Sequence, residues 1–378
     1  MTNTTEWITR SVSRLRSGAS STDKAPKASK PAADKPLADK QVADGAATKV
    51  PAPRSTHERL QATLRRGNES LSPRALRRLL ADLQDVVAPQ VSELEGGRRA
   101  QVVAGWYGQA EPEERRDMWL LLCEQFAPDA TRFQSARQRY EAAAGTADEG
   151  QAEISLRRAL VSPRTRLMQR FAVFPEGMRF LVDLRAELLP QLKSDKRLVA
   201  LDADLEHLFT TWFDVAFLEL RRLSWDSPAS LIEKLIKYEA VHDIRSWADL
   251  KNRLDSDRRC YGFFHPRLPN EPLIFVEVAL VDRISSSITP LLDEAAAPAD
   301  LKKATTAIFY SISNTQPGLR GVSFGDSLIK HVVETLTAEF PRLRTFATLS
   351  PIPGFRGWLG KNAGAMLERL DEKRRTEL

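Results

Sequence analysis

The chain has 378 residues, with 56 Lys and Arg against 50 Asp and Glu, 42% hydrophobic side chains and two cysteines. That length suits two or three domains of ~100–200 residues each, and the apolar fraction excludes a chain that is disordered throughout. No run approaches ~18 consecutive apolar residues, which excludes a transmembrane helix. Cys123 and Cys260 form neither a metal-ligand spacing nor a disulfide framework, so a reducing, cytoplasmic setting is expected. The five histidines are scattered and give no zinc signature. The net charge of +6 suggests nucleic acid, yet residues 1–55 carry ten of the basic residues against five acids, or +5 of it. The remaining chain is near neutral, so neither a nucleic-acid nor a membrane partner is expected.

Residues 1–55 read as a disordered, low-complexity tail. Thr22 to Pro53 is built from Ala, Lys, Pro and Asp and cannot bury enough surface to offset its ordering entropy. The first twenty residues have three arginines, several serines and one acid, a transit-peptide-like composition, but the segment is read as a solvated tail.

Residues 56–200 read as a helical bundle, structural or oligomerising. Leu60, Leu64, Leu76, Leu79, Leu80 and Leu83 recur at three-and-four spacing, and Ser72-Pro73 supplies an N-cap followed by proline at the first helical position. Met118, Leu121, Leu122 and Phe126 make a second stripe. Ser162-Pro163 repeats the cap before Leu167, Phe171 and Phe174. Gly96-Gly97, Ala127-Pro128-Asp129 and Gly145 are read as breaks in the run.

Residues 201–378 change character. Leu205 to Leu223 and Leu231 to Tyr238 read as helices. Strands are expected at Cys260 to Phe264, Leu273 to Val281, Ala307 to Ser313 and Thr345 to Leu349, with a helix between the second and third. The connector His265 to Pro272 holds three prolines and reads as a loop. An amphipathic helix carrying Leu328, Ile329, Val332, Val333 and Leu336 precedes the last strand. The order predicts a layered α/β domain in which strand, glycine loop, helix and strand form a crossover.

The loop Thr315 to Gly325 lies between a strand and a helix. Glycines let backbone approach a ligand closely, and the following helix offers unpaired N–H groups and a positive dipole end. That makes a phosphate cradle, with Arg320 as a cationic fork. The loop lacks both the P-loop Gly-Lys-Ser/Thr and the dinucleotide glycine spacing. Spacing alone leaves two readings open, a cradle or a turn that only closes the crossover. Ser350 follows a strand of the same crossover, and Pro351 and Pro353 stiffen what comes next. It is a preorganised donor or a turn-capping serine. His265 reads as a packed loop histidine, Glu239, His242 and Trp247 as a helix-end network, and Glu277 as a solvent-facing residue of an alternating strand.

The segments Ser311 to Gly321 and Leu328-Ile329-Lys330, with Leu349-Ser350-Pro351-Ile352-Pro353-Gly354-Phe355, closely resemble the malonyl-CoA decarboxylase family. So do Tyr238 to His242, Arg258 to Tyr261 and Glu271-Pro272-Leu273. The resemblance runs from about Trp212 to Trp358. It implies an N-terminal α-helical bundle followed by a GNAT-like α/β domain that decarboxylates malonyl-CoA to acetyl-CoA. It implies that Arg320, Gly321, Val322, Ser323, Phe324, Gly325 and Asp326 hold the substrate and that Ser350 is catalytic. No metal or organic cofactor is implied, because the thioester is the electron sink. A homo-oligomer is expected. The family also uses a histidine in a His-x-x-Asn-Gly-Ala segment well downstream of the serine, and that segment does not occur in these residues. The expectation is therefore a C-terminally incomplete domain with exposed apolar surface, weak CoA binding and slow turnover. An acyl-CoA N-acetyltransferase with Glu277 as base, and a non-catalytic CoA-binding or oligomerisation module, are the alternatives.

Overall fold

The computed structural model describes residues 55–61, 70–322, 327–367 and 369. The expected N-terminal tail and the charged segment Leu370 to Leu378 lie outside the described residues. A helical region is followed by a mixed α/β domain.

The helices are α1 Thr56–Gln61, α2 Pro73–Val86, α3 Glu93–Gln109, α4 Pro112–Gln125, α5 Ala130–Ala143, α6 Glu149–Leu160, α7 Pro163–Phe171, α8 Gly177–Leu188 and α9 Val199–Trp212. Their starts are written locally. Ser72 Oγ accepts the N–H of Ala75 at 3.2 Å, and Ser162, Ser92 and Asp129 cap α7, α3 and α5 in the same way. Gly96 and Gly97 do not break the run. Both lie inside α3, buried, where a Cβ on Gly96 would stand 2.8 Å from the Val86 carbonyl and one on Gly97 2.6 Å from the Val173 side chain. They are contact points where α3 meets its neighbours.

The sheet begins earlier than the sequence suggested. β1 is Glu219–Leu223, a stretch read above as helical. Helices α10 Ala229–Tyr238 and α11 Trp247–Arg253 follow, then β2 Arg258–His265 and β3 Leu268–Val281. The proline connector is a tight hairpin. His265 pairs with Leu268, and irregularities at Phe263 to His265 absorb the prolines of β3. No helix separates β3 from β4 Thr306–Asn314; that stretch has only a 3-10 turn at Thr289–Leu291. Then come α12 Ser327–Glu339, β5 Thr345–Thr348 and α13 Phe355–Leu367.

The sheet order is β1-β2-β3-β4-β5, antiparallel except for the parallel pair β4 and β5. Both faces are covered. Phe263, Val276, Val278 and Phe309 join Val332 and Leu336 of α12 and Leu205, Phe209 and Phe213 of the helical region in one core. On the other face Cys260 and Phe275 pack on Ile232, Leu235 and Leu250 of α10 and α11. This two-sided burial corrects the reading of Glu277. It is fully buried, not solvent-facing, and Oε2 accepts from Arg253 Nη1 at 2.9 Å. Burial, partly offset by Arg253, pushes its carboxyl up to about 7. No acceptor amine can reach it, which removes the base of the acetyltransferase alternative.

Candidate functional site

Because β4 and β5 are parallel, the segments that follow them leave the same end of the sheet. Phe309 pairs with Thr348, and β4 runs on through five more residues. Its extension carries a bulge, since Glu277 pairs with Ser311 and Val278 with Phe309, which leaves Tyr310 extra. Beyond the bulge the strand is tied down on one side. The buried Glu239 carboxylate accepts from Ser311 Oγ at 2.7 Å, Ser313 Oγ at 3.1 Å and the N–H groups of Val241 and His242, each at 2.9 Å. Glu239 and His242 thus do form a helix-end network, but it reaches across to β4. Trp247 is exposed and takes no part in it.

The glycine loop is built on helix α8. Gln316 Nε2 donates to the Pro272 carbonyl at 2.9 Å, and its Oε1 accepts from Arg179 at 2.6 Å. Arg185, almost wholly buried, sends Nη1 to the carbonyls of Gly318 (2.9 Å) and Arg320 (2.8 Å) and Nε to Asp202 at 2.7 Å. Gly318 is where the loop touches α8: a Cβ there would lie 1.9 Å from the Val182 carbonyl. Gly321 turns the chain with φ +86°, a conformation that favours glycine. The two glycines therefore have separate causes, close packing and a left-handed turn. The turn delivers the chain towards the start of α12. Ser323, Phe324, Gly325 and Asp326 lie outside the described residues.

Arg320, Gly321 and Val322 wall a cavity of about 1150 Å³. Its other walls are Ile312 and Asn314 of β4, Leu328 and Ile329 of α12, and the segment after α8, including Leu189 and Lys193. No Asp or Glu lines it; Lys193 and Arg320 are its charged side chains among the described residues. A smaller groove of about 590 Å³ between β1 and α12 differs in this respect, because its Arg222 is matched by Glu339 at 3.3 Å. Lys193 was not singled out in the sequence. A lysine after Leu-Pro-Gln-Leu carries no local signal, and only the packing of α8 on the loop brings it to the cavity.

Ser350 follows β5 and is exposed. It is not among the residues lining the cavity. The helix after it, α13, buries none of its described residues and exposes Phe355, Trp358 and Leu359. His265 is packed as expected. Its ring lies 5.1 Å from that of Phe213, its Nδ1 accepts the Arg267 N–H at 3.1 Å, and burial pulls its pKa down. His331 faces the β1 groove. Neither contacts Ser350.

A profile of the malonyl-CoA decarboxylase C-terminal domain matches residues 216–378, and one of the N-terminal domain of the same enzyme matches residues 126–213. The crystal structure of malonyl-CoA decarboxylase from Rhodopseudomonas palustris is 42% identical, with a TM-score of 0.68 over 79% of this chain and 72% of that one. The chain belongs to the malonyl-CoA decarboxylase family. The structure of the family member from Agrobacterium vitis gives 38% identity and a TM-score of 0.71 over the same shares of the two chains. Among curated proteins, the mitochondrial malonyl-CoA decarboxylase of Anser anser anser is 42% identical over 228 residues, 58% of this chain and 45% of that protein. That of Mus musculus is 38% identical over 273 residues, 70% of this chain and 56% of that protein. The chain thus spans about half the length of the curated relatives it matches.

Proposed function

We propose that this chain binds malonyl-CoA and takes part in its decarboxylation to acetyl-CoA and CO2. The observation that carries the reading is the cavity at the Arg320–Val322 turn. It is large, walled mainly by apolar side chains, free of carboxylates among the described lining residues and bordered by a left-handed glycine turn. An elongated ligand with an apolar arm and a phosphorylated end suits it. The turn, with Ser323 to Asp326, holds the CoA phosphates, and Arg320 pairs with one of them.

In the reaction the bond between the malonyl carboxylate and C2 breaks. Its electron pair moves into the thioester carbonyl, CO2 leaves, and an enolate remains. C2 then takes a proton, giving acetyl-CoA. The catalyst must stabilise the charge growing on the thioester oxygen and deliver that proton. Ser350 is assigned the hydrogen bond to the carboxylate or enolate. Its support is positional: it leaves the end of β5 parallel to β4, at the sheet end where the glycine turn lies. CoA phosphates gripped away from C2 orient the thioester. Among the described residues no histidine contacts Ser350. We further propose a cytoplasmic, homo-oligomeric protein. Cys123 and Cys260 are free thiols, and among the described residues no helix is long and apolar enough to cross a membrane.

The test is acetyl-CoA formation from malonyl-CoA, followed with the chain in excess so that slow turnover is read. Ser350→Ala should lower the rate by about 10²–10⁴ and leave CoA affinity nearly unchanged. A rate equal in both proteins would refute the role of Ser350. CoA binding without any acetyl-CoA would favour a binding module.

A further inference from the structure

Around the cavity the charged side chains are almost all committed to one another. Arg185 is taken by Asp202 at 2.7 Å and Glu206 at 3.5 Å. Arg179 is taken by Asp183. Arg116 and Arg197 share Asp195, 2.8 and 2.7 Å away, and the Arg197 hydrogen bond holds that carboxyl down at about 2. Every acid of this neighbourhood thus has its cation. Two cations of the cavity wall have no acid partner among the described residues: Arg320, on the sheet side of the cavity, and Lys193, on the helical side. They stand on different walls of one cavity whose remaining described lining is uncharged.

We infer that Lys193 is a second cationic contact for the phosphates of the CoA nucleotide, supplied by the helical region across the cavity from Arg320. This rests on the reading of the cavity as the CoA site and deepens it. Both side chains are exposed, so solvent screens them in part, but two cations on different walls of one cavity still raise the positive potential in the space they line. Lys193 ends the 3-10 turn Leu189–Lys193 that continues α8. Helix α8 is also the platform of the glycine loop, through Val182 and Arg185. The two cations are therefore held by one rigid frame, and the helical region is part of the binding site and not only a scaffold. An ammonium is a point charge on a flexible stem, suited to a phosphate whose position is fixed by the turn opposite.

The experiment is calorimetric titration of the full chain with CoA and, separately, with a phosphate-free pantetheine thioester. Lys193→Gln should weaken CoA about two- to fivefold, as expected of one solvent-reachable charge contact. The loss should shrink as added salt shortens the screening length below about 8 Å. Pantetheine thioester affinity should stay unchanged. Lys193→Arg should retain CoA affinity. Lys196→Gln makes the same change in net charge at an exposed lysine off the cavity and should change nothing. Equal CoA affinity for wild type and Lys193→Gln would overturn this inference while leaving the cavity reading intact. Equal losses for CoA and the pantetheine thioester, or an equal loss in Lys196→Gln, would also overturn it. A wild-type chain that binds no CoA would refute the cavity reading and this inference together.

Discussion

Strands β4 and β5 run side by side and release their chains at the same end of the sheet, into two unlike surroundings. Past Phe309, the chain leaving β4 is tied at successive points: Glu239 grips Ser311 and Ser313, the Pro272 carbonyl takes Gln316, and Arg185 gathers the carbonyls of Gly318 and Arg320. Past Thr348, β5 meets little. Ser350 is exposed and α13 buries nothing among the described residues. As far as Val322 the turn proposed to hold CoA is thus tied in place without a ligand, which would lower the ordering cost of binding. The serine assigned to chemistry has no such frame in the described residues.

The contrast breaks most visibly at Arg185. Arg185→Ala would leave Asp202 without its buried partner and two loop carbonyls without donors. The expected loss is about 3–5 kcal/mol of stability, read by urea denaturation. A loss no larger than that of a surface substitution would mean the loop is held by something else. Gly318→Ala tests the same frame through packing. Its Cβ would meet the Val182 carbonyl at 1.9 Å, and relieving that overlap should cost about 1–3 kcal/mol and lower the melting temperature. On α13, by contrast, an added Cβ at Gly357 has nothing within 4 Å. Gly357→Ala should stabilise the chain by about 0.5–1 kcal/mol, because alanine costs less entropy to hold in a helix. Destabilisation there would show that α13 is packed after all.

A finer comparison concerns pH. Glu277 sits among Arg253, Asp249, Glu239, Cys260 and Tyr310, with its folded carboxyl at about 7 against an ordinary 4.5. Between those values the native state keeps a proton that the unfolded chain has released. The contribution of Glu277 to stability therefore falls as pH rises from about 4.5 to about 7, then levels. Glu277→Gln cannot titrate, so its profile should lack that fall. Parallel profiles for the two proteins, from urea unfolding across this range, would contradict the raised carboxyl.

The local chemistry of the fold was legible in the sequence where it is truly local. Ser72 and Ser162 cap their helices through their own third neighbours, and the apolar, β-rich runs of β3 and β4 read as strands without a partner. The misreadings share another origin. Leu218, Leu220 and Leu223 fit a helix as well as a strand, and only pairing of Glu219–Leu223 with β2 decides for β1. Gly96 and Gly97 look like breakers until the Val86 carbonyl and Val173 are placed against them. Glu277 was assigned to solvent by alternation, a rule that fails when both faces of a sheet are covered. In the candidate site, Arg320 and Gly321 announce themselves by a glycine-rich string between strand and helix. Lys193 and Arg185 do not, because they reach the cavity and the loop only where α8 packs on a loop more than a hundred residues away.

The central claim is that CoA occupies the cavity between the Arg320 turn and the segment after α8. Hydrogen exchange of the full chain, measured with and without saturating CoA, tests it directly. The account predicts slowed exchange at Leu189 to Lys193, at Ile312 to Asn314 and from Gly318 into the start of α12, with β1 unchanged. Protection confined to β1 and the His331 face of α12, or none at the glycine turn, would contradict it.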